Sequence, residues 1–286
     1  MKTIPGIRLD GGTTIPQLGL GVFKMDRVSA QASVEQALAI GYRHIDTAAT
    51  YYNEREVGKA IAASGVPREA LFVTTKLPND AHKAGDVDGA FGRSLEALGL
   101  DYVDLYLIHW PMPGVDKYVA TWRRLESFLA DGRAAAIGVS NFLVPHLERL
   151  FAETDVRPVV DQIECHPLFQ QRELRAYLGR HGIVAEAWGP LGQGKYDLAG
   201  HPAIAQAAGV HGVSPAQVVL RWHVQQGRVA IPKAASAAHQ RENMDVWNFK
   251  LTDAELAAID RLDSGSRLGG DPNLVNDVII HPGVGP

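Results

Sequence analysis

Leu71-Phe-Val-Thr-Thr-Lys76 is followed by a helical pattern over 86–98, by Gly99, and then by Val103-Asp-Leu-Tyr-Leu-Ile-His109. Neither apolar run shows the strict polar alternation of a strand with one wet face, which suits parallel strands buried on both sides. A parallel pair needs a long crossover, and the helical stretch between them supplies one. The unit is strand, helix, strand, and the same alternation extends in both directions.

Further strand candidates fall at 18–21, 43–46, 135–139, 159–163, 183–187 and 229–231, with helical patterns near 29–40, 54–64, 117–131, 144–152, 170–181 and 214–226. Gly41, Gly65, Gly99, Gly132, Gly182 and Gly227 follow helical stretches, where a left-handed residue commonly ends a helix. Pro145 and Pro215 fall in first turns, and Ser214 is placed as an N-cap. Eight repeats predict an α/β fold, a (β/α)8 TIM barrel formed by a single domain over 1–286, since ~250 residues is typical of that fold. A doubly wound open sheet is the alternative that the same alternation permits. Ile7-Arg-Leu-Asp-Gly-Gly-Thr-Thr-Ile15 reads as an N-terminal β-hairpin capping the barrel's bottom. After the eighth strand come helices at 239–248 and 252–262, the second opened by Thr252 and Glu255 as a capping box. The last two dozen residues, rich in Gly and Pro, read as a C-terminal loop over the active site.

A formal charge of −4 with scattered Lys and Arg gives no pull towards nucleic acid or anionic lipid. The single cysteine, Cys165, forbids an intrachain disulfide, and no apolar run reaches the ~20 residues of a membrane helix. No signal-peptide core follows Met1, so a cytoplasmic protein is expected, without nucleic-acid or membrane partners. The eleven histidines form no zinc-binding spacing, and no metal is expected. Gly189-Pro-Leu-Gly-Gln-Gly-Lys195 nearly matches a P-loop, but Tyr196 stands where a small hydroxyl is needed; a loop closing over a dinucleotide pyrophosphate fits better.

Active sites of such barrels lie at the C-terminal ends of the strands. Those ends carry Asp46, Lys76, His109, Ser140 and Asn141, Gln162, Trp188 and Lys233. Tyr51 follows Asp46 by five residues. A free phenol has a pKa near ~10; a neighbouring ammonium lowers it, and a carboxylate paired with the ammonium fixes both. His109 could hydrogen-bond a carbonyl oxygen while Tyr51 protonates it. Proteins supply no hydride of their own, so a cofactor is required. Ser140, Asn141 and Gln162 could seat a carboxamide and Trp188 could face an aromatic ring, which together describe a nicotinamide.

Gly41-Tyr-Arg-His-Ile-Asp-Thr-Ala-Ala-Thr-Tyr-Tyr-Asn-Glu-Arg-Glu-Val-Gly58 resembles the first signature of the aldo-keto reductases. Ile108-His-Trp-Pro111, Ile137-Gly-Val-Ser-Asn-Phe142, Gln162-Ile-Glu-Cys-His-Pro167 and Ile231-Pro-Lys233 resemble later ones, in order along nearly the whole chain. The segments Trp188–Lys195 and His109-Trp-Pro are similar to those of the prokaryotic 2,5-diketo-D-gluconate reductase group. The resemblance implies NAD(P)H-dependent carbonyl reduction by a catalytic tetrad of Asp46, Tyr51, Lys76 and His109, with Tyr51 as the acid. It implies cofactor contacts at Gly21, Val22, Asp46, Ser140, Asn141, Gln162 and Trp188. Others fall in the loop at Gly189, Leu191 and Gln193, and past the eighth strand at Lys233, Ala234, His239, Glu242 and Asn243. Substrate contacts fall on Phe23, Tyr51, His109 and Trp110, and a monomer is implied. Expected substrates are 2,5-diketo-D-gluconate, methylglyoxal or other small aldehydes and diketones; the alternative is a nicotinamide-binding redox sensor with negligible turnover.

Four departures bear on these expectations. The family usually has serine after the strand-eight lysine and arginine six residues beyond it, both on the 2′-phosphate of NADP; here they are Ala234 and His239. A neutral imidazole lacks the fixed charge of a guanidinium, so dual use of NADH and NADPH is expected. Pro78 replaces a pocket-wall aromatic of the diketogluconate reductases, and Asp161 stands where asparagine is common.

Overall fold

The computed structural model describes residues 4–277. A two-stranded antiparallel hairpin, β1 (Gly6–Arg8) and β2 (Thr14–Pro16), precedes eight parallel strands. These are β3 (Leu20–Gly21), β4 (His44–Asp46), β5 (Phe72–Leu77), β6 (Leu105–Ile108), β7 (Ile137–Ser140), β8 (Val160–Glu164), β9 (Val184–Trp188) and β10 (Val229–Ala230). Each pairs with the next in chain order. The ends of the sheet meet: Ala230 N–H donates to Gln17 O, Gly19 N–H to Ala230 O, and Gly21 N–H to Pro232 O. The sheet is therefore a closed barrel, and the open-sheet alternative falls.

Alternation along the strands divides the residues between two cores. Ile45, Val73, Tyr106, Ile108 and Val139 face the helical layer, among side chains such as Trp122, Leu125 and Phe128. Phe72, Leu105, Leu107, Ala136, Val160 and Val229 pack inside the barrel with Leu9 and Ile15 of the hairpin, which plugs its bottom as expected. At Gly138 of β7 a Cβ would come within 2.7 Å of Val160 O and 2.8 Å of Leu107 Cδ2, so only glycine fits there. Above this apolar floor the inward positions turn polar: His44, Thr74, Gln162 and Glu186, then Asp46, Lys76 and Ser140.

Helix signals in the sequence have their expected physical counterparts. Ser214 and Thr252 cap the helices Pro215–Gln225 and Asp253–Asp260, each in a reciprocal capping box. All six predicted stop glycines have positive φ. The helix expected at 239–248 instead spans Ala237–Met244, because Ser236 accepts from His239 N–H and starts it earlier. The helix Pro202–His211 was not expected. Its run Ala-Ile-Ala-Gln-Ala-Ala-Gly-Val is small and apolar on nearly every side, so no stripe announces it. The C-terminal segment lies over the strand ends as predicted, as far as residue 277; the remainder, 278–286, falls outside the described residues. No helix among the described residues is long and apolar enough to cross a membrane.

Candidate active site

Asp46 ends β4, and the chain leaves it through a single 3-10 turn, Ala49–Tyr51. Asn53 braces that turn: its Nδ2 donates to Val22 O and Met25 O, while its Oδ1 accepts from Thr47 Oγ1. The brace carries Tyr51 back over the barrel mouth. Lys76, on β5, is fully buried, and its Nζ donates to Asp46 Oδ1 at 2.7 Å, Asp46 Oδ2 at 2.9 Å and Thr47 O at 2.9 Å. It stands 3.5 Å from the Tyr51 hydroxyl. The His109 ring meets Tyr51 edge to face at 5.8 Å, and its Nδ1 is 3.4 Å from Thr50 Oγ1. The four residues named from sequence thus converge at one end of the barrel.

Electrostatics correct one expectation. The ammonium does pull the Tyr51 phenol down, but burial is the larger effect and the phenol lies above its usual range. Tyr51 is thus a hydroxyl that holds its proton until a stronger base forms beside it. Burial pulls Lys76 down, yet the charges of Asp46 and Tyr51 carry it above the ordinary amine value, so it remains an ammonium.

The groups expected around a nicotinamide are adjacent, but they bind one another. Trp188 Nε1 donates to Asn141 Oδ1 at 2.8 Å, and Asn141 Nδ2 donates to His109 O and Ser140 Oγ, both at 3.0 Å. Ser140 Oγ donates to Gln162 O. Gln162 points deeper than expected: its Nε2 donates to Asp46 Oδ2 at 2.7 Å and Glu186 Oε2 at 2.9 Å. Asn141 makes these bonds from a left-handed backbone, φ 62°, a conformation asparagine tolerates better than most.

This donor set fits a dinucleotide. The Trp188 ring is half-buried and pinned at its nitrogen, leaving a fixed flat face. In the following loop Gly189, Gly192, Gln193 and Gly194 all have positive φ between 54° and 71°, and Gly192 N–H donates to Gly189 O, so the chain after Trp188 makes a tight turn beside its ring. Leu191 packs against the main core. Lys233 and His239 are exposed beyond β10, Ala234 is buried, and Glu242 and Asn243 lie on the helix Ala237–Met244. These cofactor candidates stand apart from the tetrad, tied to it by Gly21 and Val22: Gly21 N–H donates to Pro232 O, and Val22 N–H to Asp46 O. Among the described residues no group of His, Cys, Asp or Glu is arranged to hold a metal ion.

The aromatic wall also assembles. Phe23 meets Tyr51 at 5.0 Å, and Trp110 is buried under the C-terminal segment, where a Cβ on Gly270 would lie 3.5 Å from its ring. Glu164 anchors that segment by accepting from Leu268 N–H at 2.5 Å and Gly269 N–H at 3.0 Å. Sequence reasoning missed Asn53, Glu164, His44 and Glu186. The last two were detectable, for each lies two residues before a rim residue, Asp46 or Trp188, and so shares its inward face.

Comparison with known proteins agrees with this geometry. The profile of the Aldo/keto reductase family matches residues 16–264. "Methylglyoxal reductase DkgA" of Escherichia coli K12 is 47% identical over 267 residues, covering 93% of this chain and 96% of the relative. An aldo/keto reductase of Brucella melitensis superposes with a TM-score of 0.87 at 48% identity, covering 91% of this chain and all of the other. A point mutant of Gox0644 in complex with NADPH superposes with a TM-score of 0.90 at 41% identity, covering 96% of this chain and 99% of the other.

Proposed function

This chain belongs to the aldo/keto reductase family and reduces aldehyde or ketone carbonyls to alcohols with NAD(P)H, and on that premise we propose that Tyr51 delivers the proton, with His109, Lys76 and Asp46 as its supporting groups. The observation that carries this reading is the fully buried Lys76, bonded to Asp46 and 3.5 Å from the Tyr51 hydroxyl. A nicotinamide held there would supply the hydride to the carbonyl carbon. His109 and Tyr51 hold the carbonyl oxygen; as it becomes an alkoxide, the Tyr51 O–H bond breaks and its proton moves to that oxygen. The phenolate left behind faces Lys76, whose charge stabilises it until solvent returns the proton. The low-lying phenolate that a lone ammonium would produce is not required, because the acceptor is a strong base.

Trp188, Asn141, Ser140 and the Gly189–Lys195 loop would hold the cofactor, and Lys233 would carry its charge recognition. We propose NADPH as a substrate, with NADH also used because Ala234 and His239 supply no fixed charge for the 2′-phosphate. Methylglyoxal, the substrate in the name of the Escherichia coli relative, heads our proposed substrates, followed by other small aldehydes and diketones. We place small carbonyls above sugar acids because Pro78 removes the pocket-wall aromatic of the diketogluconate reductases, while Phe23 and Trp110 remain. We further propose a cytoplasmic monomer. Loss of NADPH and NADH absorbance with a panel of aldehydes, diketones and keto-sugars tests this reading. Turnover with small dicarbonyls is expected; tight NADPH binding with no turnover across the panel would favour a sensor, and inhibition by chelators would require a metal.

A further inference from the structure

We propose that Glu186 is a positioning residue for carbonyl reduction: a buried carboxyl inside the barrel that holds the Asp46–Lys76 pair through Gln162 and, by its charge, sets how firmly Tyr51 keeps its proton. The inference rests on the reading of Tyr51 as proton donor.

The geometry is a single polar column beneath the tetrad. The register of β8 and β9 pairs Gln162 with Glu186, which brings two strands' inward side chains together. The one amide nitrogen of Gln162 donates to both carboxylates, at 2.7 Å to Asp46 and 2.9 Å to Glu186. Its two hydrogens are thereby committed, and Asp46 cannot turn from Lys76 without breaking the column. The other Glu186 oxygen, Oε1, is buried without a hydrogen-bond partner and stands 3.5 Å from His44 Nε2. His44 Nδ1 faces Pro16 O at 3.4 Å, so the proton of a neutral ring belongs on Nδ1, and the Nε2 lone pair lies between Thr74 Oγ1 at 3.3 Å and Glu186 Oε1 at 3.5 Å. A protonated Glu186 could donate to that lone pair; an ionised one faces it unfavourably.

The titratable groups facing Glu186 are His44 and Asp46 from β4 and Lys76 from β5; β8 adds the neutral Gln162, while β3 and β10 consist of Leu, Gly, Val and Ala. Burial holds His44 neutral, at about 3. Burial, and then the Asp46 charge, push the Glu186 carboxyl up to about 8. When ionised, Glu186 raises both Lys76 and Tyr51 by its negative charge. With Glu186 ionised the phenol is the weaker acid; with Glu186 neutral it gives up its proton more readily.

Glu186→Gln mimics the neutral form, since an amide can donate to His44 and accept from Gln162. The test compares pH profiles of NADPH-driven reduction and of alcohol oxidation for wild type and Glu186→Gln. Loss of a unit charge in the dry barrel interior is expected to move the alkaline limb of both profiles about one pH unit lower, on the order of the Coulomb effect at an effective dielectric of ~20. Unmoved limbs, with only the rate changed, would overturn the proposal. Tyr51→Phe, measured alongside, separates the two ideas: retained turnover there would refute the proton-donor reading itself. If Glu186→Gln does not fold, carbon-13 NMR of the glutamate carboxyls substitutes for it, in a Glu54→Gln background because burial also raises the Glu54 carboxyl. One carboxyl titrating far above the others is expected, and all titrating in the usual range would overturn the proposal.

Discussion

Asp161 gives the sharpest stability prediction. It lies on β8 next to Gln162 but faces outward, into the helical layer, and is fully buried. Oδ1 accepts one long bond from Phe142 N–H, 3.4 Å, and Oδ2 has no hydrogen-bond partner. No cation among the described residues compensates it; burial raises its carboxyl well above the ordinary 3.8. The folded chain therefore keeps this proton while the unfolded chain releases it above pH 3.8. The unfolded state then binds fewer protons, so stability falls as pH rises from the unfolded pKa towards the folded one. Over that window the loss is about 1.4 kcal/mol per pH unit. Asparagine copies the shape of the neutral acid but cannot ionise, so Asp161→Asn removes the loss. The variant is expected to match wild type near pH ~3.5 and to gain on it progressively above pH ~4, by up to about 1.4 kcal/mol per pH unit until the folded carboxyl itself ionises. In thermal melts this is roughly 2–4 °C per kcal/mol for a chain of about this size. Urea unfolding of both proteins across pH ~4–8 measures the slope directly. Parallel curves for the two proteins would refute the reasoning.

Other substitutions probe the remaining parts. Lys76→Met strands the buried Asp46 carboxylate and is expected to lower unfolding free energy by about 3–5 kcal/mol, with Asp46→Asn/Lys76→Met recovering part of the loss; urea melts of the cycle would show it. Ala234→Ser with His239→Arg restores charged contacts worth ~1.5–3 kcal/mol, so the kcat/KM preference for NADPH over NADH should rise about 10- to 100-fold, and an unchanged ratio would remove these positions from cofactor choice. Burial opposes ionisation of Glu164, but His166 and the Leu268 and Gly269 N–H groups prevail and hold its carboxyl below the usual value. Its stabilisation of the C-terminal segment is therefore present above pH 4.5 and lost as pH falls through the folded pKa. Glu164→Gln should raise hydrogen exchange over 265–277 at neutral pH to the level that wild type reaches only in acid.

How much of this was visible in the sequence follows from what each signal depends on. Strand positions were legible because parallel barrel strands are buried on both faces and read as apolar runs; β5 and β6 fall inside the ranges expected for them, give or take a residue. The tetrad was legible because Asp46, Lys76 and His109 sit at strand ends and Tyr51 follows Asp46 by five residues. The polar column was not, since Val184-Ala-Glu-Ala-Trp188 reads as an ordinary strand until register sets Glu186 opposite Gln162. The same limit explains Gln162, whose type suits a carboxamide but whose amide is spent on two carboxylates. Tyr51 shows a different failure. The sign of its shift is a contest between burial and a nearby charge, and sequence reveals only the charge.

The central claim is that Tyr51 donates the proton, and Tyr51→Phe tests it most directly. Steady-state reduction of methylglyoxal by NADPH should fall about 10²- to 10⁴-fold in kcat, the usual share of a general acid, while NADPH binding measured by fluorescence stays within a few-fold of wild type. Retention of kcat within a few-fold by the variant would contradict the account.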